Sequence, residues 1–222
     1  MKNVIVSWSG GKDSAFVLFK LMRNGEYIIK GLLSTTSEET KRLPIHEVST
    51  SLIQEQATSI GLPLFEVSLP SNANNDLYKK TLKKQFDQFK NNDVYTIIYA
   101  DLFLEDIKVF RDQLLSEVGM IGEYPLWGRN TSALAEDFIS KGFEAIVTTI
   151  DAEKLPSEMV GKLYNKSFLE NLPEGVDPCG ENGEFHTFVF NGPLFQYSIP
   201  FSVGETFETV SGRFLHVEIH SS

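Results

Sequence analysis

Val4-Ile5-Val6-Ser7-Trp8-Ser9-Gly10-Gly11-Lys12-Asp13-Ser14-Ala15-Phe16-Val17 stands almost at the start of the chain. Its first five residues form a short apolar run of buried-strand character. Residues 9–14 are a polar glycine turn. From Ala15 the apolar positions Phe16, Val17, Phe19, Leu21 and Met22 suit a helix packed on a sheet, ending near Asn24-Gly25. A strand that turns through glycines into a helix gathers free N–H groups and partial positive charge at one point, which suits phosphate. Gly10 and Gly11 let the backbone approach an anion without a Cβ in the way. Ser9 and Ser14 add hydroxyl donors, and Lys12 adds a point charge. Asp13 beside phosphate makes sense as a ligand for Mg²⁺. The spacing fits neither the Walker A loop nor Gly-x-Gly-x-x-Gly.

Outward from this loop, strand and helix alternate. Strands are predicted at residues 27–33, 64–67, 94–100 and 143–150, with an extended stretch at 124–127. Helices are predicted at 48–60, after a polar stretch 71–76 up to about 90, at 104–118 and at 131–141. Repeated units of this kind imply an α/β fold with a mostly parallel, doubly wound sheet. After Asp151 the character changes. A helical stretch containing Pro156 runs to about Leu172, a turn-rich segment follows, and antiparallel strands are predicted at 185–190, 196–202, 207–210 and 214–219. The expected division is a nucleotide-binding domain over residues 1–151 and a smaller α+β substrate-binding lobe over 152–222.

Thirty acidic and 20 basic residues give a net charge of −10, which argues against nucleic acid as the main partner. The single cysteine, Cys179, excludes an internal disulfide and any Cys-x-x-Cys site, and its acidic neighbours Asp177 and Glu181 argue against a nucleophilic thiol. No apolar run approaches the roughly 18–20 residues that span a bilayer, and no secretory signal is visible. A cytoplasmic protein without a membrane partner is expected. The lysines at 79, 80, 83 and 84 read as a solvated helix face or as a dock for an acidic partner protein.

Asp177-Pro178-Cys179-Gly180-Glu181-Asn182-Gly183-Glu184-Phe185-His186-Thr187 is a second polar concentration. If Glu184 begins a strand, alternation sends Glu184 and His186 to one face, with Glu181 reaching in from the loop. Such a cluster suits Mg²⁺, a cationic group, or a base that deprotonates ammonium; it also reads as a solvated turn. Trp127 and Arg129 read either as pocket borders or, for Trp127, as core. Asp101, at the end of a strand, reads either as a ligand-facing carboxylate or as a helix N-cap. Ser34 and Thr35 end another strand and read as ligand-facing or as a turn. His46 is either substrate-facing or a surface residue.

Residues 9–14 resemble the PP-loop of ATP pyrophosphatases, the Ser-Gly-Gly-x-Asp-Ser pattern of the adenine nucleotide α-hydrolase-like superfamily. The resemblance implies ATP bound by Ser9, Gly10, Gly11, Lys12, Asp13 and Ser14, with Ser34, Thr35 and Asp101 near the nucleotide. Gly180-Glu181-Asn182-Gly183-Glu184-Phe185-His186-Thr187, with Asn191-Gly192-Pro193-Leu194-Phe195, Arg42-Leu43-Pro44-Ile45-His46 and Tyr124-Pro125-Leu126-Trp127-Gly128, is similar to the diphthine–ammonia ligase family. That resemblance implies an ATP- and Mg²⁺-dependent ligase that adenylates a carboxylate and transfers ammonia to it. The acceptor would be diphthine on elongation factor 2, or a small-molecule carboxylate in a bacterial member. Lys12, Glu181, Glu184 and His186 would be catalytic. Trp127, Arg129, Asp177, Gly180 and Gly183 would shape the acceptor pocket. A homodimer is an expected assembly, and a non-enzymatic ATP sensor on the same fold is the competing reading.

Overall fold

The computed structural model describes residues 1–70 and 73–221; the first two positions of the polar stretch expected at 71–76 lie outside them. Five parallel strands form the first sheet: β1 (Lys2–Ser7), β2 (Tyr27–Ser37), β3 (Leu64–Leu69), β4 (Thr96–Ile98) and β5 (Ile121–Glu123), in the order β3-β2-β1-β4-β5. The chain moves outward from β1 to β3, then returns to the far side of β1. The strand order therefore reverses between β1 and β4, where open parallel sheets hold ligands at their carboxyl ends.

Helices cover both faces. α1 (Lys12–Asn24) and α2 (Thr50–Ile60) contribute Phe16, Leu18, Leu52 and Ile53 to one core, with Val4, Val6 and Leu32 from the sheet. α3 (Asn75–Lys90) and α4 (Glu105–Ser116) contribute Leu82, Phe86, Leu114 and Leu115 to another, against Ile5, Leu33 and Ile97. Alternate residues of β1 thus point to opposite cores, as the pleat requires. Met22, expected on the packed face of α1, is half exposed.

A second, antiparallel sheet has the order β7-β6-β9-β8, built from β6 (Glu144–Asp151), β7 (Phe185–Asn191), β8 (Phe201–Thr209) and β9 (Phe214–Ser221). The strand expected at 143–150, N-terminal to the predicted division after Asp151, is the centre of this sheet and not a member of the parallel one. Its continuous buried run accounts for the ambiguity: a strand covered on both faces carries no alternation to distinguish the two settings. The parallel sheet's fifth strand is instead the short Ile121-Gly122-Glu123, which has too little apolar character to signal itself. The stretch expected to be extended at 124–127 instead runs into a turn over residues 125–128. The helical stretch expected up to 172 reduces to a 3₁₀ turn (Ser157–Met159) and α6 (Lys166–Glu170), and the strands expected at 196–202 and 207–210 are one strand, β8, preceded by a loop.

The two sheets share a core. Phe138 of α5 (Thr131–Ser140) stacks on Phe143 at 4.7 Å, and Phe143 meets Phe19 of α1 edge-on at 5.4 Å. No helix among the described residues is long and apolar enough to cross a membrane.

Candidate functional site

The glycine loop is clamped by the second sheet. Gly10 holds φ 74°, and its carbonyl accepts from Val189 N of β7 at 2.9 Å and from Gln56 Nε2 of α2 at 3.0 Å. Gln56 is fully buried; it also donates to Val189 O at 2.6 Å and accepts from Trp8 Nε1 at 3.0 Å. A Cβ on Gly10 would lie 2.5 Å from Ile53 Cδ1 and 2.6 Å from Gln56 Oε1, so glycine is required for both conformation and space. Gly11 is the N-cap of α1 and has no side chain to cap with; Lys12 N, the first N–H of the helix, instead donates to Thr187 Oγ1 of β7 at 3.1 Å. Ser9 Oγ lies 3.2 Å from Ser14 Oγ and accepts from Gly11 N at 3.3 Å, which folds the loop over the helix start.

Opposite this terminus stands the turn 177–184 and the beginning of β7. Together they enclose a cavity of about 300 Å³ lined by Ser9, Gly11 to Ser14, Asp101, Glu181, His186 and Thr187, among others. Lys12 is buried. Its Nζ lies 2.6 Å from Asp13 Oδ2, donates to the Cys179 carbonyl, and sits 5.5 Å and 5.8 Å from the ring centroids of Phe185 and Tyr164. Burial would lower the pKa of this ammonium, but Asp13, Cys179 and Glu181 outweigh it and the pKa ends above its ordinary value, so Lys12 stays charged. Glu181 accepts from Leu102 N at 2.7 Å, and its own N donates to Asp177 Oδ2 at 2.9 Å. Burial, reinforced by the charges of Asp13 and Asp101 against the opposing pull of Leu102 N–H and Lys12, pushes the Glu181 carboxyl up to about 7. A carboxylate that titrates near neutrality can take a proton at working pH.

His46 and His186 face each other with ring centroids 4.5 Å apart. Burial first, then the positive charge of Lys12, lowers His46 to about 4; burial and His46 push His186 well down. Both rings are therefore neutral. His46 sits between two non-glycine residues of positive φ, Ile45 at 70° and Glu47 at 53°. The second sheet holds this strained segment. Thr149 Oγ1 donates to Ile45 O at 3.2 Å and meets His216 Nδ1 at 2.9 Å, while His216 Nε2 meets Thr209 Oγ1 at 2.7 Å. Arg42 pairs with Glu218 at 2.6 Å.

A second cavity, of about 350 Å³, adjoins the first at the sheet's reversal point. Its walls include Trp8, Thr35, Tyr78, Leu82, Phe86, Tyr99 and Phe110. Ser7, Ser9, Ile45, His46, Ile107 and Arg111 line both cavities. An aromatic chamber thus opens onto a polar one that ends at a helix N-terminus.

The predicted site residues fall into two groups. Ser9, Gly11, Lys12, Asp13, Ser14, Asp101, Gly180, Glu181 and His186 line the polar cavity, and Thr35 lines the aromatic one. Gly10 supplies the turn behind the loop, and Asp177 holds Glu181 from behind. Ser34 is buried and donates to Trp8 O at 2.6 Å, one residue out of register with Thr35; β2 continues through Ser37 where a turn was one of the readings. Glu184 lines neither cavity. The strand begins only at Phe185, after Gly183 at φ 79°, so alternation does not carry Glu184 to the face of His186. It is buried, accepts from Asn182 Nδ2 at 3.0 Å and from Asp177 N at 3.4 Å, and so closes the turn. Gly183 shapes that turn without lining either cavity. Trp127 packs on Tyr124 at 5.9 Å, and Arg129 is exposed; both lie outside the two cavities. Cys179 is buried with Sγ donating to Thr131 O, and burial pushes its thiol up to about 12, which leaves it inert. Arg111 and Gln56 were not foreseen. Each is one polar residue on an amphipathic helix, with no local motif to mark it.

Models of two protein-family domains match the chain: the diphthamide synthase N-terminal domain over residues 1–122 and the diphthamide synthase C-terminal domain over residues 130–221. Among curated relatives, the zebrafish (Danio rerio) protein named diphthine–ammonia ligase is 27% identical, with 89% of this chain and 86% of that protein covered. The human protein of the same name is 24% identical, with 86% of this chain and 79% of that protein covered. The Schizosaccharomyces pombe protein of that name is 25% identical over 95% of this chain, which spans only 38% of its length.

Proposed function

Because the chain belongs to the diphthamide synthase family, matching models of both its domains, we propose that it is an ATP-dependent ligase: it adenylates a carboxylate, passes the acyl group to ammonia and releases AMP and pyrophosphate. Diphthine, which the relatives' name gives as their substrate, is the proposed acceptor. The observation that carries this reading is the glycine-capped N-terminus of α1, with buried Lys12 in its first turn, facing the Glu181 carboxyl across a cavity joined to an aromatic chamber.

In this reading the adenine lies in the aromatic chamber, near Thr35, Tyr78, Phe86 and Phe110, and the phosphates run over the shared wall to the glycine loop. Backbone N–H groups at the start of α1, with the hydroxyls of Ser9 and Ser14, hold phosphate oxygens. Mg²⁺ fits the donor set. Asp13 offers a hard carboxylate oxygen in the cavity, and Mg²⁺ beside phosphates needs only one or two such ligands. When bound, it would neutralise phosphate charge. An acceptor carboxylate oxygen attacks the α-phosphorus; the α–β bridging bond breaks and pyrophosphate leaves. Lys12, charged and held in place, stabilises the negative charge that develops there. Ammonia then attacks the acyl carbon, AMP departs with the bonding pair, and Glu181 takes the proton that the added nitrogen must lose. The neutral rings of His46 and His186 line the cavity without adding positive charge that would draw phosphate away from Lys12.

Mass spectrometry of diphthine-bearing elongation factor 2, incubated with the protein, ATP, Mg²⁺ and ammonium, tests the reading. Conversion of the carboxylate to its amide, dependent on ATP, is expected. Unchanged diphthine together with intact ATP would refute the proposed acceptor.

A further inference from the structure

Among the described residues lining the two cavities, Lys12 and Arg111 carry the permanent positive charges. Lys12 is largely taken up by Asp13 and the Cys179 carbonyl. Arg111 is differently placed. It projects from α4 into the wall common to both cavities, its guanidinium lying 4.3 Å from the centroid of Tyr99. Tyr99 is itself buried and stacks on Tyr124 at 5.5 Å, so the surface under Arg111 is rigid. Among the described residues, the guanidinium's hydrogen-bond partner is Asp101, whose Oδ2 accepts from Nη1. A guanidinium carries five N–H donors in a planar fork matched to carboxylate and phosphate oxygens. Stacking on Tyr99 and anchoring by Asp101 fix the fork's orientation and leave most of its donors for a ligand.

We propose that Arg111 binds the α-phosphate of the nucleotide, at the wall where the aromatic and polar cavities meet. This rests on the placement of adenosine and triphosphate given above. With adenosine in the aromatic chamber and the β- and γ-phosphates at the glycine loop, the group crossing the shared wall is the α-phosphate. That phosphorus is also where the carboxylate attacks, so charge builds beside Arg111 as the α–β bond breaks. Asp101 is then a positioning residue that aims the guanidinium. The ion pair has a second effect: it keeps the site's net charge low until an anion arrives.

The test uses AMP, whose one phosphate is the α-phosphate, and adenosine, which has none. Calorimetry is run on the intact protein and on Arg111→Met and Arg111→Lys, with thermal melts as a folding control. The wild type is expected to prefer AMP over adenosine by at least about tenfold, the value of one charge-assisted pair. Arg111→Met should abolish that preference while adenosine affinity holds, and Arg111→Lys should restore part of it, because a point charge replaces a fork. An AMP preference that persists unchanged in Arg111→Met overturns the assignment. Equal loss of adenosine and AMP binding, together with a lowered melting temperature, also overturns it and makes Arg111 a structural residue. In turnover, Arg111→Met should lower the rate of pyrophosphate formation about 100-fold. A raised KM for the acceptor with unchanged kcat would instead assign Arg111 to the acceptor carboxylate. The binding arms need no ligase activity, so failure of the proposed reaction and failure of this assignment are told apart.

Discussion

Replacing Gln56 with leucine should unseat the glycine loop, although Gln56 itself touches neither cavity. The side chain is fully buried and makes three hydrogen bonds at once: from Trp8 Nε1 at 3.0 Å, to Gly10 O at 3.0 Å and to Val189 O at 2.6 Å. Leucine fills similar volume and makes none of them. Gly10 O keeps its bond from Val189 N, so the stranded groups are the Trp8 indole N–H and one lone pair of Val189 O. At about 1–3 kcal/mol for each stranded group, the expected loss is about 3 kcal/mol. For a domain of this size that corresponds to a fall in melting temperature of about 6–12 °C. Affinity for ATP should fall as well, because Gln56 ties the loop to β7. Scanning calorimetry and ATP titration measure both. Trp8→Phe removes the indole donor alone, and the Trp8→Phe/Gln56→Leu pair should be clearly non-additive. A melting shift under about 2 °C with unchanged ATP affinity would refute the reasoning.

Gly10→Ala puts a Cβ 2.5 Å from Ile53 Cδ1 at φ 74° and should cost about 1–2 kcal/mol for backbone conformation plus about 1–3 kcal/mol for overpacking, whereas Gly25→Ala, with φ 69° and open space, should cost only the first; paired denaturant melts separate them. Glu181→Gln should lower amide formation by about 10²–10⁴-fold and flatten a pH–rate profile that, in the wild type, rises through about 7 as the carboxylate forms. The same variant should melt above the wild type at alkaline pH and with it below 4.5, because a raised folded-state pKa means stability is lost as pH rises through about 7. Glu184→Gln preserves the acceptor that closes the turn 177–184 and should keep most turnover, while Glu184→Ala should lose it together with melting temperature; identical severe loss in both, with unchanged stability, would give Glu184 a direct chemical role.

The glycine loop was legible because its chemistry is mostly backbone chemistry: adjacent glycines between an apolar strand and an amphipathic helix allow few conformations. Glu181 and His186 were legible as a polar concentration in a turn-rich segment. Their roles were not, because the pKa near 7 comes from burial against Asp13 and Asp101, far away in sequence. Glu184 was expected beside His186 only if it began the strand, and the strand starts one residue later, at Phe185. Ser34 and Thr35 were equivalent by composition, and β2's register sends only Thr35 to the cavity. Arg111 and Gln56 lie on helices whose apolar periodicity their presence hardly alters. The assignment of β6 to the antiparallel sheet depends on pairing partners more than thirty residues distant, which no local pattern reports.

The most direct test of the account separates the products of ATP turnover by chromatography, with ammonium and diphthine-bearing elongation factor 2 present. Equal amounts of AMP and pyrophosphate, formed only when the acceptor is present and absent in Lys12→Met, are the predicted result. ADP and phosphate, or AMP formed at the same rate by Lys12→Met, would contradict it.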